Sequence, residues 1–117
     1  MAWTCITKTG EIEDIRQDRR KAEHVEKYMI SEKAVYFEGK YLPISRIRNA
    51  RIQPSFYYPN HSCGKGIPVF KIRLDYGEER PLVLMTERES NAERLVNKIC
   101  TINLSVTAEK VTQNPAT

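Results

Sequence analysis

At 117 residues the chain is long enough to bury roughly two-thirds of the surface its unfolded form exposes, and too short for two independent cores. Hydrophobic residues at 40% and charged residues at 29% exclude wholesale disorder, and no run of about 18 apolar residues is present to cross a bilayer as a helix. The net charge of +4, from 19 Lys and Arg against 15 Asp and Glu, leaves the surface mixed in sign, so basicity alone does not specify nucleic acid. Cys5, Cys63 and Cys100 are odd in number and widely spaced, unlike a secreted disulfide framework, and are predicted to be reduced thiols. The opening MAWTCITKTGEIED lacks a basic start followed by an apolar run, so a soluble cytoplasmic protein is expected.

Residues 1–24 read as a charged N-terminal extension. Within it Trp3 to Thr7 suits a short strand, while Ile15, Ala22, Val25 and Met29 fall at loosely helical spacings that favour a helix within Glu11 to Lys27. Tyr28, Met29 and Ile30 are better strand than helix material, which makes Val25 to Ser31 an extended lead-in. From Ala34 the pattern sharpens: AVYFEGKYLPI places apolar residues on both sides of Glu38-Gly39-Lys40 and predicts a hairpin. Pro43 cannot donate to a central ladder, so the second arm is an edge, with a single helical turn through Ser45 to Ile47 after it.

Arg48 to Phe56 alternates, with Ala50, Ile52 and Phe56 packed and Asn49, Arg51, Gln53 and Ser55 wet. Ile67 to Tyr76 alternates more clearly, Phe70, Ile72, Leu74 and Tyr76 facing one way. A turn at Gly77 and the apolar run Pro81 to Met85 complete a second hairpin. Thr86 and Glu89 match capping-box spacing, and Ala92, Leu95, Val96, Ile99 and Cys100 then share one helical face. Residues 104–117 form a polar tail, predicted to fray beyond Val106.

ISEKAVYFEGKYLPISRIRNARI, followed by IPVFKIRLDYGEERPLVLMTERESNAERLVNKI, resembles bacterial pleckstrin-homology-like domains, in which an opening hairpin precedes a strand, a variable loop, a second hairpin and a closing helix. The likeness covers residues 25–103. It implies an α+β, mainly β fold: a curved antiparallel sandwich or partial barrel, one open end capped by a C-terminal amphipathic helix. Most bacterial members have no assigned activity, so the resemblance implies a fold and not a reaction.

The segment Pro54 to Pro68 is the unusual one, gathering Phe56, Tyr57, Tyr58, His61, Cys63, Lys65 and three prolines between two predicted strands. Tyrosine gives broad contact area with a polar tip at low entropic cost, so Phe56, Tyr57, Tyr58, His61 and Lys65 are the candidate partner-binding residues. The structural alternative is a long connection whose aromatics fold back on their own sheet. His61 and Cys63 would supply only two zinc ligands, with Cys5, His24 and Cys100 in distant segments, so no metal site is predicted. As base and nucleophile of a thiol enzyme the same pair lacks an orienting third group, and no catalytic residue or cofactor is predicted. Gly64-Lys65-Gly66 lacks phosphate-loop spacing.

The expected function is therefore a non-enzymatic intracellular binding or scaffolding module that recognises a protein partner or itself, the edge arm Tyr41 to Ile44 inviting self-association into a homo-oligomer. The alternative is an anionic surface, membrane lipid or nucleic acid, met by Arg46, Arg48, Arg51 and Lys65. Nucleic acid ranks lower because stacking aromatics are not interleaved with that charge, and a lone lysine in the first hairpin turn gives thin support for lipid.

Overall fold

Alternating apolar residues need a second layer to bury them, and here two sheets and one long helix share that task. The computed structural model describes residues 3–7, 12–58 and 66–110. In chain order it contains β1 (Thr4–Cys5), α1 (Ile15–Arg20), β2 (Glu23–Val25), β3 (Tyr28–Ile30), β4 (Ala34–Phe37), β5 (Lys40–Pro43), a 3-10 turn (Ile44–Arg46), β6 (Asn49–Tyr57), β7 (Ile67–Asp75), β8 (Leu82–Thr86), α2 (Glu89–Ile102) and β9 (Thr107–Lys110). One sheet has the order β1-β5-β4-β3-β2 and the other β8-β7-β6-β9. Val25, Ile30, Val35, Phe37 and Leu42 from the first sheet meet Ala50, Ile52, Ile72, Leu74 and Leu84 from the second, with Ala92, Leu95, Val96 and Ile99 of α2 completing the core.

The fold is mainly β with a closing C-terminal helix, as expected, but it departs from an all-antiparallel sandwich. Each sheet is mixed, because β1 runs parallel to β5 and β9 runs parallel to β6. The expected helix within Glu11 to Lys27 shrinks to Ile15–Arg20, and the chain then enters the antiparallel β2–β3 hairpin. The β4–β5 hairpin is found as expected, with positive φ at both central residues, 45° at Glu38 and 77° at Gly39, the twist that two-residue hairpin turns favour. Its second arm is covered at its start, where Thr4 and Cys5 pair with Lys40 and Tyr41, the latter being the first residue of the Tyr41 to Ile44 edge on which self-association was expected to rest. The tail does not simply fray after Val106, since Thr107–Lys110 pairs with Asn49 to Ile52.

β4 is buried at all four positions. Val35 and Phe37 enter the main core, whereas Ala34 and Tyr36 point to the opposite face, where Trp3, Cys5, Ile12, Ile15 and Tyr41 surround them. Residues of the N-terminal stretch thus supply a second layer over the first sheet. Its polar anchor is Asp18, a buried carboxylate that accepts from Ser31 Oγ at 2.6 Å and from the Tyr36 hydroxyl. Ser31 is itself held by the amides of Lys33 and Ala34, at 3.0 and 2.9 Å, in the turn between β3 and β4. The Trp3 ring stands edge-on to Tyr36 with centroids 5.4 Å apart, and the Arg19 guanidinium lies 5.0 Å from the Trp3 ring centroid.

Helix α2 does not use the expected capping box. Thr86 ends β8, its hydroxyl donates to the Arg88 carbonyl at 3.0 Å, and the helix starts at Glu89, so Glu89 stands at the first helical position rather than the third. The approach to the helix is held from elsewhere in the chain. Glu26, in the β2–β3 turn with φ 55°, accepts from the amide of Glu87, the residue before the N-cap Arg88, at 2.9 and 3.0 Å, from the Arg88 amide at 3.4 Å and from Asn91 Nδ2 at 2.9 Å. A carboxylate there fixes the entry into α2 and opposes the positive end of the helix dipole. One residue pair further, the Tyr28 hydroxyl accepts from the Met85 amide at 2.9 Å, joining the first sheet to β8 by a side chain.

Two outcomes follow for stability. Glu26→Ala should cost about 1–2 kcal/mol and Glu26→Gln about half as much, measured by urea melts, because the first removes the acceptor and the second only its charge. An unchanged midpoint in Glu26→Ala would mean that these contacts do not hold the start of α2 in place. Tyr36→Phe should cost about 1.5–3 kcal/mol by removing a hydrogen bond to a buried carboxylate. Burial, then the Asp18 hydrogen bond, raises the Tyr36 phenol above its ordinary 10.0. The fold therefore favours the neutral phenol, so this contribution is whole below pH 10.0 and is lost as pH climbs from there toward the raised folded value. Urea midpoints between roughly pH 9 and 11 should fall more steeply for wild type than for Tyr36→Phe.

Candidate functional site

Strands β6 and β7 are nine residues each and stay in register from Asn49 opposite Asp75 to Tyr57 opposite Ile67. Their neighbours are shorter: β8 reaches only Phe70 along β7, and β9 only Ile52 along β6. The far end of the long hairpin consequently projects past the core, which is why Phe56, expected on the packed face, is 46% exposed. Tyr57 at 47%, Tyr58 at 62% and Ile67 at 46% accompany it. Phe56 and Tyr57 are strand residues rather than loop residues, and only Tyr58 lies in the connection.

The tip has two faces because side chains alternate along a strand. On one, the Phe56 and Tyr58 rings lie 6.5 Å apart and close over Gly66, where a Cβ would stand 2.8 Å from the Tyr58 ring. Glycine is required there by the close approach. On the other, Tyr57 and Ile67 wall a groove of about 520 Å³ that continues over Val69 and Met85 to Lys27, Glu26 and Glu87 just ahead of α2. Ile67, Val69, Met85 and Lys27 were missed in the sequence. Ile67 and Val69 are the register partners of Tyr57 and Ser55, so the hairpin register would have identified them.

A larger groove, about 790 Å³, runs between Ile12 to Asp14, Glu32, Lys33 and the end of α2 at Ile102, with Leu104 just beyond it. Its walls mix charged groups with isolated apolar ones, whereas the tip concentrates aromatic surface. The tip is the stronger candidate.

The arginines singled out for anionic ligands do not converge. Arg46 sits on the 3-10 turn; the Arg48 guanidinium packs against Gly77, where a Cβ would lie 3.1 Å from it. Arg51 projects from the opposite side of the second sheet, 3.8 Å from Glu109. There it stands beside its register partner Arg73, which meets Asp75 at 3.5 Å, with Lys71 on the same face. His61, Cys63 and Lys65 lie outside the described residues. Cys5 and Cys100 pack against different apolar clusters, and among the described residues no three His, Cys, Asp or Glu side chains gather as a metal site.

Comparison with protein-family models, with curated proteins and with solved structures returns no match.

Proposed function

We propose that the protein is a non-enzymatic binding or scaffolding module, pleckstrin-homology-like in arrangement, that recognises a protein partner or a second copy of itself through the β6–β7 tip. The observation that carries this reading is the exposure of Phe56, Tyr57, Tyr58 and Ile67 together at one end of a fully paired hairpin. Aromatic side chains exposed together beside a groove suit the central anchors of protein interfaces. The order of hairpin β4–β5, strand β6, connection, hairpin β7–β8 and helix α2 supports the pleckstrin-homology-like part of the reading.

The test is capture from native lysate with wild type and a Tyr57→Ala, Tyr58→Ala variant of equal melting temperature. A protein, or a second copy of the chain, should be retained by wild type and bind the variant about 30-fold more weakly in purified form, the loss of a hot spot of roughly 2 kcal/mol. An identical retained set would remove the tip from function.

A second reading is favoured by Arg51, Lys71 and Arg73 sharing one exposed sheet face. It is an anionic-surface module for lipid or nucleic acid. Binding to anionic vesicles or single-stranded oligonucleotides should then weaken steeply with salt and fall further in Arg73→Ala. No affinity at low salt would dismiss it.

A further inference from the structure

Strand β9 borders the core while contributing little to it. All four of its residues are exposed, and it lies parallel to β6 with Ala108 beside Ala50 and Lys110 beside Ile52. Alternation turns Ala108 and Lys110 toward α2, and Thr107 and Glu109 away from it. Lys110 Nζ bridges Glu89 Oε1 at 3.3 Å and the Glu93 carboxylate, which stand one turn apart on α2, while Glu109 meets Arg51. Exposed ion pairs of this kind hold weakly. Ala108 also underfills its place. Beside it runs a groove of about 240 Å³, walled by the buried side chains of Ile52 and Val96 and by Glu93, Asn97 and Lys110.

We propose that the β6 edge beside α2 is a strand-addition site for a partner segment carrying a bulky apolar residue two positions before a lysine or arginine, and that β9 occupies it as a weak in-chain stand-in. The backbone bonds of such a segment come from β6, its apolar side chain fills the groove over Ile52 and Val96, and its cation sits between Glu89 and Glu93. Charge complementarity and the register of β9 define this occupant. Tethering gives β9 a high effective concentration, so weak contacts suffice to cover the edge until a better-fitting strand displaces it. The inference does not rest on the aromatic tip, since the Tyr57→Ala, Tyr58→Ala variant leaves these contacts in place.

The probe is the labelled peptide SVTLEK, which is residues 105–110 with leucine at the position of Ala108. Fluorescence anisotropy would measure its binding to the full chain, to Lys110→Glu, in which like charge undocks β9, and to Ala108→Leu, in which β9 fills its own groove better. Lys110→Glu should bind the peptide about tenfold or more tighter than wild type, because the fraction of open sites rises. Ala108→Leu should bind it more weakly, and a peptide ending in glutamate should bind neither variant. Equal affinity across the three proteins, indifference to the final lysine, or no binding at all would overturn the proposal. So would a peptide-free dimer of Lys110→Glu by ultracentrifugation, which would assign the edge to a second copy.

Discussion

The constraint on which the rest depends is that β4 is buried on both of its faces. A strand of a two-layer fold ordinarily shows one face to water, and Ala34 and Tyr36 do not. Something has to cover them, and Trp3, Cys5, Ile12 and Ile15 do so. Once those residues cross the sheet, Thr4 and Cys5 lie where they pair with the start of β5, and α1 brings Asp18 to Ser31 and Tyr36. A carboxylate taken out of water is costly unless its oxygens are satisfied, so the two hydroxyls convert a liability into a positional lock. The charged N-terminal stretch therefore takes part in the fold as a layer.

The opposite side of the molecule is closed by side chains instead of strands. Tyr28 and Glu26, neighbours in the β2–β3 hairpin, take the Met85 amide and the Glu87 amide just ahead of α2. Sheet, sheet and helix are joined at this corner by polar contacts whose geometry a one-residue shift would break. The groove that ends there begins at Tyr57 and Ile67 on the hairpin tip. Polar contacts close one end of this groove, and exposed aromatic surface borders the other.

Much of this was legible in the sequence, wherever a local rule decides the outcome. Period-two alternation located β6 and β7, Glu38-Gly39 marked the β4–β5 turn, and the 3.6-residue spacing of Ala92, Leu95, Val96 and Ile99 identified the buried face of α2. What was not legible depends on distant segments. AVYF has no way to announce which residues cover its second face. Glu26 holds the approach to a helix more than sixty positions later in the chain, while the nearer Thr86 and Glu89 matched capping-box spacing and do not form the box. Lys110 finds Glu93 only because β9 lies parallel to β6, a pairing that a Thr-Ala-Glu-Lys segment does not foretell. The candidate site shows the same division. Phe56, Tyr57 and Tyr58 stood out by composition, while Ile67, Val69 and Met85 joined them through register, and the three arginines scattered because Arg46 sits on the 3-10 turn and Arg48 ahead of β6, leaving Arg51 alone on the strand.

Strand β4 is covered on both faces, whereas β9 lies exposed at an edge and, as proposed above, gives way to a better-fitting strand. Native-state hydrogen exchange of the full chain separates the two. The amides of Val35 and Tyr36 should exchange only through global unfolding, and those of Thr107 to Lys110 through a local opening of much lower free energy. Protection of β9 equal to that of β4, or early exchange of β4, would overturn this picture.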